Sequence, residues 1–343
     1  MIVLYVILAL FVFGLLVMIH ELGHFLMARA FGVGINEFAI GMGPKIFSKK
    51  GKKYDTVYSL RAFPIGGYVS MVGEDEESDD PNAFGAKSVW KRILIVLSGP
   101  LMNILLGFLL MLILVIGTDK LASTTIGEFL PNATSSSHIA VGDVVTHVNG
   151  TRVHTGNELV YEIMNQGYAP IDLTVVRDGQ ETVLNDVIFP GMETEGIAFG
   201  SPDFKVCVEQ KNFGTVLKHT FFRSVSTVKM IFDQLFDLLR GRFGLNAVSG
   251  PIGITEEMGN AAKSGFDNFV YLVIVITVNL GVFNLLPIPA LDGGRLLFLI
   301  IEAVLRRPVN KNVEGYIHFA GLMLLFALMI VVACKDIIGL FIR

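Results

Sequence analysis

The pattern His-Glu-Leu-Gly-His occupies residues 20–24, inside an apolar run that starts near residue 2 and continues past residue 24. Residues four positions apart share one face of an α-helix, so His20 and His24 can present two imidazole nitrogens to one metal ion. Catalytic zinc binds in this way, and it lowers the pKa of a water at its open position to about 7. Glu21 lies beside the histidines and could take the proton of that water. The sequence therefore predicts a zinc site with Glu21 as its base.

The surroundings of this pattern favour a functional site over two ordinary histidines of a soluble helix. The apolar run provides the roughly 20 residues that a helix needs to cross a bilayer, and ionisable residues at that depth usually mark a water-accessible functional site. Residues 28–30, Ala-Arg-Ala, resemble the cleavage site of a signal peptide. We reject that alternative because no basic segment precedes the run, which is also longer than the roughly 7–15 residues of a signal-peptide core.

The composition indicates a membrane protein with several spans. Of the 343 residues, 52% are hydrophobic and 17% are charged, and the mean hydropathy is +0.61. These values are too apolar for an ordinary soluble domain. The net charge of −4 gives no reason to expect a nucleic-acid partner. The only cysteines, Cys207 and Cys334, lie far apart in different kinds of segment, so we expect no disulfide framework.

Residues 32–87 form a polar, glycine-rich connection between the first two apolar runs. Within it, residues 54–72 alternate in polarity and contain Pro-Ile-Gly-Gly at 64–67, which predicts a β-hairpin or short sheet. The hairpin is apolar enough to dip into the bilayer. Its free strand edge could pair with an unwound substrate backbone, and a purely structural hairpin explains the same pattern equally well.

The second run, at about 89–116, contains Asn103, which we interpret as a packing residue against the helix that carries the histidines. The composition from Asp119 to about Phe189 changes to that of a small soluble domain. Gly-Asp-Val-Val at 142–145, followed by Val-Asn-Gly at 148–150, is typical of PDZ-like domains. A glycine-and-aromatic loop for binding a free C-terminal carboxylate is not recognisable. Residues 213–240 then predict an amphipathic helix on the membrane surface.

The third run, about 268–286, ends in a stretch that cannot continue a regular helix, because residues 287–294 contain two prolines and two glycines. Broken backbone at membrane depth is tolerated where it lines a protein-enclosed or watered cavity. Asp292 in this stretch is therefore predicted to be the third zinc ligand, and its alternative role is a cap for the helix starting near Arg295. His318, in the last run at about 315–334, is expected near the interface and not on the metal.

The distribution of basic residues orients these spans. Two predicted spans separate the connections at 32–87 and 295–312, so both connections fall on the same side of the membrane. Both carry basic clusters, and the positive-inside rule therefore places them in the cytoplasm. The N-terminus and the PDZ-like domain are then predicted to lie outside the cell. This localisation corresponds to a multi-pass protein of the bacterial plasma membrane.

Taken together, these motifs resemble those of the site-2 protease family of intramembrane zinc metalloproteases, and most closely the bacterial regulator-of-sigma-E protease group. The resemblance implies that His20, His24 and Asp292 bind Zn²⁺ and that Glu21 is the catalytic base. It implies also that Asn284 contacts the substrate backbone near the scissile bond.

In this family, membrane-associated β-structure is thought to hold the substrate extended, and in this chain it corresponds to the hairpin around Gly66, Gly67 and Tyr68. The best-known Gram-negative members carry tandem PDZ domains. This chain has room for one, as in Gram-positive members.

The predicted fold is a polytopic α-helical membrane protein with about four transmembrane helices. It also has a membrane-associated β-hairpin and an inserted extracytoplasmic PDZ-like α+β domain. We divide the chain into an N-terminal membrane part (1–117), the PDZ-like domain (118–190), an amphipathic linker region (191–264) and a C-terminal membrane part (265–343).

The predicted function is hydrolysis of peptide bonds within transmembrane segments by a zinc-dependent endopeptidase. The resemblance suggests two classes of single-span substrate, which the residues do not separate. One is an anti-sigma factor already trimmed by an upstream site-1 protease, and the other is remnant signal peptides. Membrane lipid is a further expected partner. Two alternatives from other classes are a catalytically inactive PDZ scaffold and a metal transporter.

Overall fold

The computed structural model describes residues 2–52, 55–74, 76, 78–194, 197–242, 244 and 248–342. The chain forms two compact units. The membrane unit consists of Met1–Gly107 and Val248–Arg343, and the insert unit is Phe108–Ala247. The following paragraphs describe each unit by itself.

Helices α1 (Ile2–Ala30), α2 (Val89–Gly117), α6 (Phe266–Leu285) and α8 (Lys311–Ile342) are long and apolar. Each contains a stretch that could cross a membrane by length and composition, and the four stretches are Tyr5–Ala30, Val89–Gly117, Phe266–Leu285 and Asn312–Ile338. This result confirms the prediction of a polytopic membrane protein with four spans. Two further helices, α5 (Pro251–Ser264) and α7 (Asp292–Leu305), complete the membrane unit.

Glycines allow the helices of the membrane unit to approach closely. A Cβ added to Gly23 of α1 would lie 2.3 Å from the carbonyl oxygen of Ser98 in α2. A Cβ added to Gly281 of α6 would lie 2.9 Å from the carbonyl oxygen of Pro100, which is also in α2. Close packing through small residues is the usual way in which helices associate in a bilayer, where no hydrophobic force drives them together. Helix α2 is therefore in backbone contact with both α1 and α6.

The sheet of the membrane unit is larger than the hairpin predicted within residues 54–72. That stretch contains a single bent strand, β2 (Val57–Met71), whose antiparallel partner is β1 (Ile35–Lys50). Because both strands bend, four segments pair side by side in the order 45–50, 57–61, 37–40 and 67–71. Positive φ angles at Gly41, Gly43 and Gly66 permit these bends. The sequence analysis missed β1, since its glycines resemble a loop.

The insert unit contains an antiparallel sheet with the strand order β10-β3-β4-β6-β7, and β5 (Thr151–Arg152) pairs with β4. The strands are β3 (Leu121–Phe129), β4 (Val144–Val148), β6 (Ile171–Arg177), β7 (Gln180–Val187) and β10 (Phe204–Glu209). A short hairpin, β8 (Gly191–Thr194) and β9 (Ile197–Gly200), precedes β10. The sheet therefore extends beyond residue 190, because β10 pairs with β3 at its edge.

Two helices complete the insert unit. Helix α3 (Gly156–Gln166) begins with a capping box formed by Thr155 and Glu158, and its apolar side packs on the sheet through Leu159 and Ile163, which are fully buried. Helix α4 (Phe213–Leu239) was predicted as an amphipathic helix at 213–240, and the structure has a helix at almost the same residues.

One face of α4 packs along α3. The Tyr161 hydroxyl donates to Asp233 at 2.8 Å, Lys229 pairs with Glu162 at 2.8 Å, and the rings of His154 and Phe222 stack with their centroids 3.7 Å apart. The other face of α4 exposes apolar side chains at helical spacing. They are Phe213, Leu217, Phe221, Val225, Phe232, Phe236 and Leu239.

An ion pair with a buried carboxylate joins the residue before β4 to the end of β6 in the insert. Asp143 is 1% exposed, accepts hydrogen bonds from Arg177 at 2.8 and 2.7 Å, and accepts a third from the Ala140 N–H at 2.8 Å. The Arg177 hydrogen bonds lower the pKa of Asp143, and burial opposes them more weakly. A lowered pKa means that the carboxylate stabilises the fold above its unfolded pKa of about 3.9 and stops doing so as the pH falls through its folded pKa.

We predict that Asp143→Asn destabilises the insert at pH 7 by about 1.5–3 kcal/mol, the usual value of hydrogen bonds to a charged group. Hydrogen exchange of the full-length protein should show faster exchange in β4 and β6. Asp178→Asn is the matched control, since Asp178 lies in a turn with φ of 52°, which Asn tolerates. Equal exchange rates in wild type and Asp143→Asn would contradict a stabilising role for the Asp143–Arg177 ion pair.

Candidate metal centre

Three predicted ligand residues from distant parts of the chain converge in the membrane unit. His20 Nε2 lies 2.9 Å from Asp292 Oδ2, and His24 Nε2 lies 3.3 Å from the same oxygen and 3.3 Å from His20 Nε2. One ligand atom from each residue lies within 4.8 Å of the others. Both histidines are 7% exposed. In the part of the chain that the structure describes, no other group of His, Cys, Asp or Glu has this arrangement.

The polypeptide around Asp292 explains how a carboxylate reaches the histidines. Helix α6 ends at Leu285, the chain turns through residues 286–291, and α7 begins at Asp292. The N-cap residue of α7 is Leu291, which makes no side-chain cap, so Asp292 does not serve as the cap considered from sequence. A Cβ added to Gly293 would lie 1.9 Å from the carbonyl oxygen of Leu286, so glycine is required for this tight turn.

Helix α2 contacts both histidines. His24 Nδ1 lies 2.9 Å from the carbonyl oxygen of Ile95, and His20 Nδ1 lies 3.4 Å from the side-chain nitrogen of Asn103. Such contacts orient metal-binding imidazoles. At His24 the carbonyl accepts the proton of Nδ1, which leaves Nε2 free for a metal. At His20 the same tautomer requires that Oδ1 of Asn103, a buried atom with no hydrogen-bond partner among the described residues, faces Nδ1 in place of the amide nitrogen. Asn103 was interpreted as a packing residue, and the structure adds this contact with His20. Gly99 has a related role, since its added Cβ would lie 2.2 Å from His24 Nε2.

Glu21 is held by the edge of the sheet. The N–H of Val69 in β2 donates to Glu21 Oε2 at 3.0 Å, and a Cβ added to Gly67 would lie 3.8 Å from Glu21 Cγ. The segment 67–71 is the last in the order of paired segments, so Val69 belongs to an edge. The sheet predicted as a substrate platform thus lies directly beside the predicted base.

A second carboxylate contacts the same edge. The N–H of Met71 donates to Glu74 Oε2 at 3.4 Å, and Glu74 also forms an ion pair with Arg295 of α7. Arg295 lies three residues after Asp292. Two amides of this edge are therefore bonded to carboxylates, and the second carboxylate connects the edge to the helix that begins with Asp292. Sequence analysis missed Glu74, which lies in an acidic run that is simply explained as solvated.

The remaining predicted substrate-binding residues have other surroundings. The Tyr68 hydroxyl accepts a hydrogen bond from Arg61, whose guanidinium lies 5.0 Å from the Tyr68 ring centroid. Arg61 also pairs with Glu37 at 2.9 Å. Burial raises the pKa of Glu37, but hydrogen bonds from Ser59, Lys45 and Arg61 outweigh it and lower the pKa to about 2. Tyr68 is therefore part of an ionised cluster that crosses the sheet.

Asn284 lies in the last turn of α6 and donates to the Leu280 carbonyl at 3.0 Å. Within the described residues, no hydrogen bond joins it to Glu21 or to the three ligand residues. Among the described residues, the group of possible metal ligands does not include His318. It has a neighbouring role, because its Nδ1 accepts a hydrogen bond from the Ala290 N–H at 2.9 Å. This bond ties α8 to the turn before Asp292.

Four spans, a buried His-His-Asp cluster and a glutamate beside it define a class of protein, the membrane-embedded metallopeptidases. The family model "Peptidase family M50" matches residues 8–328. The chain therefore belongs to peptidase family M50, the site-2 protease family.

Individual relatives agree with this assignment. A candidate zinc metalloprotease of Clostridium acetobutylicum is 36% identical, with 97% of each chain covered. The zinc metalloprotease RasP of Geobacillus kaustophilus is 32% identical, with 95% of this chain and 96% of the relative covered. The regulator of sigma-W protease RasP of Bacillus subtilis is 30% identical, with 96% and 97% covered.

Family membership confirms the predicted function. The protein is a zinc-dependent intramembrane metalloprotease, in agreement with the zinc metalloproteases among its relatives. This result favours the protease over the inactive scaffold and the metal transporter.

We predict that the purified protein holds about one zinc per chain, as a catalytic site with three protein ligands does. Asp292→Ala should lose most of this zinc, and Glu21→Gln should keep it while losing cleavage. Elemental analysis by mass spectrometry measures the metal. Asp267→Ala is the matched control, because Asp267 also lies in the first turn of a helix but is exposed. Full zinc content in Asp292→Ala would contradict the ligand assignment.

Proposed function

We propose that His20, His24 and Asp292 hold the catalytic zinc and that Glu21 is the base in the cleavage of transmembrane segments. The convergence of the three ligand atoms within 4.8 Å is the observation that carries this proposal. Their chemistry fits zinc, which commonly binds two imidazole nitrogens and one carboxylate oxygen. The buried Oδ2 of Asp292 lies 2.9 and 3.3 Å from the Nε2 atoms of His20 and His24, but among the described residues it accepts no hydrogen bond of suitable geometry. An oxygen placed in this way is suited to bind a cation together with the two imidazoles. Zinc in this site supplies Lewis-acid activation of a carbonyl and of a water.

Glu21 would transfer protons during the reaction. Its carboxylate accepts the proton of the attacking water and later passes it to the leaving amine. The hydrogen bond from Val69 fixes Oε2 beside the sheet edge, so base and edge occupy the same place. A substrate strand that took the Val69 N–H as its own partner would release this oxygen of Glu21. Substrate pairing and availability of the base are thereby linked.

The sheet edge solves a physical problem for a protease of helices. A transmembrane helix must unwind before it can be cut, and its freed backbone groups then need new partners, since the bilayer core holds no water to hydrogen-bond them. Strand addition at the 67–71 edge, near Gly66 and Gly67, would supply those partners. The Glu74 carboxylate at Met71 would be displaced in the same step. We assign to Asn284 a further contact with the substrate backbone, and to Tyr68 the support of this edge through Arg61.

The substrates that we propose are single-span membrane proteins, either an anti-sigma factor or remnant signal peptides. The name of the Bacillus subtilis relative, regulator of sigma-W protease, supports the first class. An anti-sigma factor would first be trimmed by an upstream site-1 protease.

The function is tested by comparing the membrane proteomes of cells that carry wild type and Glu21→Gln. Short single-span stubs should accumulate only in the variant, because without the base Glu21 they would bind but would not be cleaved. Glu181→Gln, which removes an exposed carboxylate of β7, is the control. Equal stub levels in all three strains would argue against intramembrane cleavage by this site.

We propose that the protein lies in a bacterial plasma membrane with residues 32–87 and 295–312 in the cytoplasm. Its N-terminus and its insert would lie outside. The basic residues of the two connections support this orientation. In chains without Cys207 and Cys334, cysteines introduced at Lys50 and Asn310 should resist a membrane-impermeant thiol reagent in intact cells. A cysteine at Asp178 should react. Labelling of the cysteine at position 50 before lysis would show that the proposed orientation is wrong.

We propose that the insert is PDZ-like and limits the size of the substrates that are cleaved. The sheet order, the α3 helix and the Gly-Asp-Val-Val motif support the PDZ-like assignment. The exposed apolar face of α4 would lie on lipid. In our proposed division of the chain, residues 1–117 and 265–343 remain the two membrane parts. The PDZ-like part would run from 118 past 190 to the end of β10, and α4 would belong to the linker region up to 264.

This size limit predicts the effect of removing the sheet. Leu121 and Glu209 are paired neighbours at its two ends, so residues 121–209 can be replaced by a short Gly-Ser linker. Cleavage of a substrate with a bulky outer domain should rise in this variant, and cleavage of the trimmed substrate should stay constant. Phe232→Asp should act in the same direction, because a carboxylate would not remain in the membrane interface. If cleavage of both substrates falls together, the insert recruits substrate and does not limit it.

A further inference from the structure

We propose that a cavity between the start of α2 and the end of α7 binds the headgroup of an anionic phospholipid. The cavity has a volume of about 280 Å³, and its lining includes Trp90, Glu302, Arg306 and Arg307. It belongs to the membrane unit and contains none of the residues assigned to catalysis. The argument depends on its charge and on its position along a spanning helix.

The cavity carries two uncompensated positive charges. Glu302 is bound at both oxygens by Arg92, at 3.1 and 2.5 Å, so this carboxylate is already neutralised. Arg306 and Arg307 are exposed, and neither has a hydrogen bond or ion pair with another described residue. Guanidinium groups match the geometry of phosphate oxygens and bind them in pairs. The C-terminus of α7 is unfavourable for an anion, because its carbonyls carry partial negative charge. Binding would therefore depend on the two arginines.

The backbone places the two arginines together. Helix α7 ends at Leu305, and its C-cap, Arg306, has the left-handed conformation with φ of 54° and ψ of 27°. Pro308 follows and cannot extend a helix. The chain therefore turns sharply at the cavity, with both guanidinium groups on the exposed turn.

The position of Trp90 favours a lipid over a soluble phosphate. Trp90 is the second residue of the spanning helix α2 and is 70% exposed. Tryptophan at the end of a span usually lies at headgroup depth. Exposed apolar side chains lie on the same two helix ends, with Leu94 45% exposed and Val304 74% exposed. A phosphodiester at the arginines would leave its acyl chains on this apolar surface, which a soluble anion would not use.

Trp90 makes the proposal directly measurable, because it is the only tryptophan of the chain. The full-length protein would be reconstituted in phosphatidylcholine vesicles that contain either brominated phosphatidylglycerol or brominated phosphatidylcholine. Bromine quenches indole fluorescence on contact. Brominated phosphatidylglycerol should quench Trp90 at a lower mole fraction, with a preference of about fivefold for each arginine. Both leaflets hold the quencher, so the result does not depend on orientation.

Variants separate the proposed site from general attraction to the membrane. Trp90 of the double variant Arg306→Gln/Arg307→Gln should be quenched equally by both lipids, whereas the double variant Arg306→Lys/Arg307→Lys should keep most of the preference. The control Lys49→Gln/Lys52→Gln removes two exposed charges elsewhere and should behave as wild type. Thermal unfolding tests whether Arg306→Gln/Arg307→Gln is folded. If it is not, the proposal is tested by whether wild type and Arg306→Lys/Arg307→Lys both prefer brominated phosphatidylglycerol.

Three outcomes would overturn the proposal. They are equal quenching by both lipids in wild type, retained preference in a folded Gln variant, and loss of preference on adding millimolar glycerol phosphate. The last outcome would assign the cavity to a soluble phosphate ester.

Discussion

The cost of polar groups inside a bilayer governs this structure. Two imidazoles and a carboxylate can remain at membrane depth only where protein encloses them and supplies their partners. Here α2 supplies those partners, with the Ile95 carbonyl at one histidine and Asn103 at the other. It comes close enough because Gly99 leaves room for the His24 ring. The close packing of α2 against α1 is thus part of the metal site.

The same cost explains why the sheet lies beside the site. Substrate that unwinds in the membrane has unsatisfied backbone groups, and an edge strand offers matching ones. An exposed edge is itself a liability, because it pairs with any available strand. Glu21 and Glu74 bond to this edge and occupy two of its amides. In our proposal the catalytic base therefore protects the edge until substrate replaces it.

Much of this arrangement could be predicted from residue patterns, and the exceptions have physical causes. The four spans follow from hydropathy, and the His20–His24 pair follows from helical spacing. The position of Asp292 beside the two histidines was predictable because the backbone of 287–294 cannot remain helical. Strand β1 was missed since its glycines, which permit the bends, also resemble a loop. The contacts of Asn103 with His20, Glu74 with Arg295 and His318 with Ala290 join residues far apart in sequence, and no local pattern reports such pairs. Strand β10 escaped for the same reason, as its partner β3 lies about 80 residues earlier.

The most direct test of the account is to locate the cleaved bond. Purified full-length protein would be reconstituted with a single-span substrate, and mass spectrometry would identify the new termini. We predict that the cut lies inside the apolar span and that Glu21→Gln abolishes it while zinc stays bound. A cut in the soluble flank of the substrate, or cleavage that persists in Glu21→Gln, would contradict a site in which Glu21 acts on an unwound transmembrane segment.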